Sequence, residues 1–411
     1  MRIEPPRHHQ HRIFLAALLC TGLLLALRPF PKGAGAQGQA TPPPAPPPTL
    51  PPQADLPQYG EIVQMCGQGV QPRGPDFAGT GFIVTTFSRD ALWVVDLGRG
   101  ARYPLPDTRP CGPNCLPSPD RRRLLYVSPE TYTYWLMSLD GVQREQVTPY
   151  YVTAVEWWDA AHWLIWPAVA PPYLQAIGSG ERTPLGDYDV FSVQPGGYYG
   201  LRLRSGDPWP VLELVDTQTG NAVALADWRP YFGGAYWSPD GSRLAYIGQG
   251  ECDQALGLSG AELFLIRPGE PTALRLTDLT AAYGAARIAG MQEERAVSWS
   301  PDGTRLAFWV MEIIGPDMGA NVGQAVLHVL DATTGQTTAY CGYGTTQVTP
   351  NPPALVWSPD GRYVAFGADT PGDGKGALLL ALDTQSGTFT EISDGIYPAY
   401  GTYDPVMWGV R

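Results

Sequence analysis

Trp237-Ser-Pro-Asp-Gly241, Trp299-Ser-Pro-Asp-Gly303 and Trp357-Ser-Pro-Asp-Gly361 are three copies of one pentapeptide. Each runs into a short apolar strand: Arg243-Leu-Ala-Tyr246, Arg305-Leu-Ala-Phe308 and Tyr363-Val-Ala-Phe366. Recurrence of this kind marks a supersecondary unit that cannot bury its apolar surface alone. Ser-Pro-Asp-Gly is type I turn chemistry, with Pro presetting φ at the second place and Gly last. Gly241, Gly303 and Gly361 accept a positive φ without steric cost, and the carboxylates of Asp240, Asp302 and Asp360 can take a nearby backbone N–H. An apolar strand end precedes each turn and an alternating strand follows it, so each unit opens as a β-hairpin. Third strands are expected at Glu262–Ile266, Val326–Leu330 and Leu378–Leu382. Asp331 and Asp383 then lead into turns ending at Gly335 and Gly387, followed by a fourth strand. Four strands per unit is the blade of a β-propeller.

Weaker copies extend the pattern toward the N-terminus, through Ser118-Pro119-Asp120, Trp157-Trp158-Asp159 and Gln194-Pro195-Gly196-Gly197. The stretch Phe82–Leu105 has blade-like strands but no innermost one, while Pro405-Val-Met-Trp408-Gly409 is a strand with no hairpin after it. Ring closure joins the two and removes an exposed sheet edge. The expected fold is therefore all-β, a single propeller of seven four-stranded blades, with six or eight as alternatives because Glu61–Met65 also reads as a strand. Trp237, Trp299, Trp357 and Trp408 are expected in the core between blades, since an indole recurring at one place in every unit builds the ring.

Residues 1–36 read as a signal peptide or an N-terminal anchor. Arg2, Arg7 and Arg12 precede the apolar run Ile13–Leu27, and Ala34-Gly35-Ala36 is a small-residue cleavage pattern. Any membrane attachment is expected through residues 13–27 alone. Residues 37–57 read as a Pro-rich linker, with nine prolines in the seventeen positions 41–57. Polyproline II would span roughly 50 Å there. The propeller occupies 58–411, about 51 residues per blade, against a typical ~40–45, so some blades carry insertions.

Charge narrows the partners. The chain has 27 basic and 39 acidic residues; removing the five basic and one acidic residue of the first 36 leaves 22 against 38. A formal balance of −16 opposes phosphate backbones, which excludes nucleic acid as a partner. In an exported chain the cysteines are expected in disulfides. Cys252 and Cys341 sit in or beside loops of adjacent blades and are paired on that ground. Cys111 and Cys115 close on each other, or one of them meets Cys66; five is odd, so one thiol stays free.

The search for catalytic chemistry returns little. Only His162 and His328 lie beyond the leader. His328 alternates with Leu327 and Val329 and is expected on a strand surface; His162 lies in a turn. No nucleophile elbow, phosphate loop or paired-histidine zinc helix is present. Trp157, Trp158, Trp163 and Trp166 form an aromatic cluster at strand spacing, better suited to core than to stacking on sugars. The loops are more informative. Those joining second to third strands, and fourth strands to the next blade, open on one face. They are short in the first four blades and long in the last three: 248–261, 310–324, 367–376, 278–295 and 342–353. Glu251, Asp253, Asp278, Glu293, Glu294, Glu312, Asp317 and Asp373 lie on them, with Asp369, and form an acidic crescent expected to bind a protein, a cation or a polyol. Thr370-Pro-Gly-Asp373-Gly374 has some calcium-loop character without the full oxygen spacing, so no cofactor or metal is assigned.

The repeat, with Trp299-Ser-Pro-Asp-Gly303-Thr-Arg-Leu-Ala-Phe308, a Val-Leu-Asp331 strand and Gly335, resembles the WD-like repeat of TolB-type β-propellers, also found in propeller domains of prolyl-oligopeptidase relatives. The resemblance covers about residues 80–410 and implies an exported binding propeller, but not TolB itself: that family carries an α/β domain ahead of the ring, where this chain has a proline tether. The peptidases' hydrolase domain has no residues left to form it, and no catalytic residue carries over. The expected function is thus non-catalytic binding through the acidic loop face. A hydrolase or lyase with carboxylates at the central channel is the alternative, and a structural envelope component the third.

Overall fold

The computed structural model describes residues 59–411, except 68, 87–90, 110–114, 186–189, 207, 231, 254, 290–294, 316–321, 345–351, 370–376 and 394–404. The expected leader and linker lie outside the described residues. So do Cys111, Glu293, Glu294, Asp317 and Asp373.

Seven sheets form seven blades. Blade 2 is Leu116–Pro117, Arg123–Val127, Tyr134–Ser138 and Arg144–Gln146, and blade 3 is Ala154–Trp157, His162–Trp166, Tyr173–Ala176 and Arg182–Pro184. Blade 4 is Ser192–Val193, Tyr199–Arg204, Val211–Asp216 and Ala222–Ala224. Blades 5, 6 and 7 begin at the three strong motifs, with first strands Ala235–Trp237, Val297–Trp299 and Val356–Trp357. Blade 1 joins the two ends of the domain: Pro405–Gly409 pairs antiparallel with Phe82–Thr85, setting Trp408 opposite Ile83, and Trp93–Asp96 and Ala101–Pro104 complete it. First strands of blades 5, 6, 7, 1 and 2 touch one another in turn, which makes the first strands the innermost.

Closure is visible in the core. Each of the seven seams between neighbouring blades holds its own apolar cluster, including blade 7 against blade 1, where Tyr363, Leu379 and Ile392 pack on Ile83, Val95 and Trp408. A strand between two seams must be apolar on both faces. In Arg305–Glu312, Leu306, Phe308 and Val310 face blade 5, while Ala307, Trp309 and Met311 face blade 7.

The motif works as expected and adds a link between blades. In each strong copy the Ser hydroxyl donates to the Asp carboxylate and accepts the backbone N–H five positions on. Gly241, Gly303 and Gly361 take φ of 69°, 66° and 71°. The glycine carbonyl then serves the preceding blade: Gln194 donates to Gly241, Arg243 to Gly303 and Arg305 to Gly361, at 2.7, 3.2 and 2.5 Å. Trp299 and Trp357 likewise donate their indole N–H to Tyr236 and Ser298 carbonyls of the preceding blade, both at 2.9 Å. Trp237 is only half-buried and its indole nitrogen finds no partner.

Ile62–Met65 is a strand, but it founds no eighth blade. It adds in parallel to the outer strand Thr337–Gly344 of blade 6, and Val70–Pro72 does the same to Thr388–Glu391 of blade 7. This strap covers two outer sheet edges before the chain enters blade 1. Cys66, just past the first of these strands, is bonded to Cys341. The expected Cys252–Cys341 pair is therefore corrected: Cys252 is an exposed free thiol. Cys66 is likewise unavailable to the Cys111/Cys115 pair, and Cys115 is disulfide-bonded.

Candidate functional site

The long connection within blade 5 and the one from blade 5 to blade 6 are largely built structure, where the sequence suggests loops. Residues 248–261 largely continue two strands, Leu244–Asp253 and Leu258–Ile266, as one extended hairpin. The connection 276–296 forms a helix, Leu279–Tyr283, and then a strand, Ala286–Ala289, which inserts in blade 6 beside residues 309–312. Glu262, which the sequence reading passed over, organises this insertion. It is 0% exposed and accepts from five donors: Thr277 Oγ1, Leu279 N, Thr280 N, Thr280 Oγ1 and Arg275 Nη2, at 2.6–3.0 Å. A buried carboxylate is tolerable only with such saturation.

The predicted crescent separates into parts. Glu251 and Asp278 both pair with Arg275, at 3.1 and 2.8 Å, the same guanidinium that meets Glu262. Asp278 also caps the helix by accepting from Ala281 N. Asp253 accepts the backbone N–H groups of Ala255 and Ala285, which hold its carboxyl below the usual carboxylate range. These three carboxylates brace the insertion. Glu312 instead lines a cavity.

This cavity, of about 300 Å³, lies on the blade-5 side of blade 6, at the loop-rich end. Tyr283 comes from the helix, Glu312, Gln324 and His328 from blade 6, and Gln64 from the strap; Cys341, half of the disulfide, completes the wall. Its size reaches the lower end of small-molecule pockets, about 300–1,000 Å³. His328 is 1% exposed, against the expectation of a surface strand position. Its register partner is Phe308, so it shares the face turned to blade 5, and the insertion helix covers it. Nδ1 donates to the Val326 carbonyl at 2.9 Å, so Nε2 accepts from the Tyr283 hydroxyl at 2.8 Å. Burial lowers its pKa to about 4, the Val326 contact opposing that only in part. Burial first, and then the field of Glu312, raise the Tyr283 phenol. The imidazole is neutral at pH 7 and fixes the ring of Tyr283 on the cavity wall.

This sets an acid dependence. Folded His328 titrates below its unfolded value of 6.5, so stability is complete above pH 6.5 and falls as pH drops toward 4. The expected loss is about 2–3 kcal/mol. Urea unfolding of wild type and His328→Asn at pH 7.0 and 4.5 measures it: the wild type should lose more than the variant, and equal losses would remove His328 from the account.

His162 begins the strand His162–Trp166 and meets Asp159 at 3.0 Å, away from this cavity. Trp158 and Trp163 are buried in blade seams. On the innermost strand of blade 3, burial pushes the Glu156 carboxyl up to about 7. Among the described residues no group of three or more His, Cys, Asp or Glu side chains gathers as a metal site.

No protein-family model matches the chain, and no curated protein matches it. Among solved structures it is similar to TolB from Acinetobacter baumannii, at 15% identity over 80% of this chain and 83% of that one, with a TM-score of 0.39. It is also similar to an oligogalacturonate lyase in complex with manganese, at 14% identity over 76% and 85% of the two chains, TM-score 0.45. The tricorn protease gives 12% identity over 83% of this chain and 36% of that one, TM-score 0.45.

Proposed function

We propose that this propeller is an exported binding protein that receives a small amine- or hydroxyl-bearing ligand on its loop-rich face, in the cavity between the Leu279–Tyr283 helix and blade 6. The observation that carries this reading is the built insertion. Five hydrogen bonds to a fully buried Glu262 fix a helix whose last residue, Tyr283, walls a cavity with Glu312, Gln64 and Gln324. A carboxylate with two amides and apolar Val310 and Val326 suits hydroxyl or ammonium donors and repels anions. The Cys66–Cys341 disulfide and the leader-like first 36 residues support export.

Thermal-shift and calorimetric titration of the full chain with small polyamines and polyols tests the assignment. A ligand that stabilises the wild type should lose about tenfold or more in affinity with Glu312→Gln, the usual cost of a charge-assisted hydrogen bond. Saturable binding unaffected by Glu312→Gln and Tyr283→Phe together would move the site elsewhere. A second reading, catalysis by a carboxylate of an innermost strand, is favoured by Glu156, which burial raises to about 7 and whose register partner Leu164 lies in the seam between blades 3 and 4. Turnover of glycosidic or ester substrates that vanishes in Glu156→Gln would establish it.

A further inference from the structure

Arg121 breaks the repeat at its most constrained position. In the motif copies of blades 5, 6 and 7 this place is Gly241, Gly303 and Gly361; in blade 2 the turn reads Ser118-Pro-Asp-Arg121. Arg121 nevertheless adopts φ 56°, in the left-handed region where glycine costs nothing and a side chain is strained. The turn itself does not need the arginine. Its backbone N–H donates to Ser118 O as Gly241, Gly303 and Gly361 do to their own serines, and its carbonyl accepts from Val410 N. Only the side chain distinguishes it from the consensus.

That side chain enters the middle of the ring. Arg121 lines a cavity of about 210 Å³ walled by innermost strands of blades 1, 2, 6 and 7, through Val297, Leu355, Val406 and Met407 among others. One guanidinium nitrogen donates to the Trp357 carbonyl at 2.9 Å. No carboxylate among the described residues pairs with it, and burial alone holds its pKa below the usual arginine value. Arg295 borders the same cavity from the opposite end of the innermost strands, one nitrogen on the Cys115 carbonyl at 3.2 Å. In a chain whose residues 37–411 carry a formal balance of −16, a half-buried arginine without a counter-ion is an anomaly of sign as well as of strain.

We propose that the channel cavity is a second, separate binding site, in which Arg121 holds the oxyanion of a small ligand whose remainder lies on the apolar walls. A guanidinium presents two parallel N–H groups that match a carboxylate or a phosphate. The apolar strands around it favour a carboxylate with a short hydrocarbon tail. This site owes nothing to Glu312 or Tyr283 and stands or falls apart from the loop-face cavity.

Calorimetric titration of the full chain with butyrate, inorganic phosphate and, as the uncharged control, butanol provides the test. Butyrate binding with no phosphate binding assigns a carboxylate ligand; the reverse assigns a phosphate-bearing one; butanol should not bind. Arg121→Gln is expected to lower affinity for the bound anion by about 10–100-fold. Arg121→Gly restores the repeat consensus, so it should melt at or above the wild-type temperature while losing the anion equally. Absence of saturable binding of both anions to the wild type, or unchanged affinity in Arg121→Gly, would overturn the assignment.

Discussion

A chain ending at residue 404 is expected to lose the native ring and aggregate. Residues 405–409 are the innermost strand of blade 1, every one of them buried. Trp408 is 0% exposed, stacks on Tyr363 of blade 7 and donates its indole N–H to Thr80 O at 2.7 Å. Removing the strand strips the seams on both sides of blade 1 and leaves Phe82–Thr85 as an unpaired inner edge. That cost is comparable to the whole stability of a domain, about 5–15 kcal/mol. Trp408→Ala isolates the packing share and is expected to cost about 3–5 kcal/mol. Circular dichroism melting and size-exclusion chromatography measure both; a truncated monomer with an unchanged, cooperative melt would contradict the closed ring.

Opening the Cys66–Cys341 bond has the next largest effect. The crosslink joins positions 275 apart in sequence, so its loss frees a very long loop in the unfolded chain. Cys66→Ser is expected to lower unfolding free energy by about 3–5 kcal/mol. The loss should centre on the strap, where Gly60 N donates to Gly335 O and Ile62–Met65 pairs along blade 6. Cys252→Ser, which removes an exposed free thiol, should leave stability unchanged. Urea unfolding without reductant separates the three proteins, and equal midpoints for wild type and Cys66→Ser would show that the strap holds without its bond.

The ring was legible because its determinants are local and repeated. Ser-Pro-Asp-Gly fixes a turn, the flanking alternation fixes two strands, and a surplus strand at one end matches a deficit at the other. What escaped depends on packing between distant segments. Proximity along the blades favours Cys252 as the partner of Cys341, whereas the strap's parallel pairing on blade 6, which brings in Cys66, leaves no signature in either strand. Alternation around His328 implies one wet face, yet a blade strand lies between two seams. The roles of Arg275 and Glu262, which gather Glu251 and Asp278, are invisible in the sequence, where both look like any other charged residues. Arg121 was visible as an imperfect motif copy, but its imperfection acquires meaning only once the turn is seen to keep a glycine's backbone.

The strap also decides how the molecule would respond to pulling. Tension entering from residues ahead of Tyr59 reaches a strand bonded in parallel over Ile62–Met65, so its hydrogen bonds are loaded in shear along their row. The next residue, Cys66, transfers the remaining load covalently to the outer strand of blade 6. The seam at Trp408, on which closure depends, lies beyond that branch and bears none of it. A particle held by its N-terminal end can thus be tugged without being unzipped.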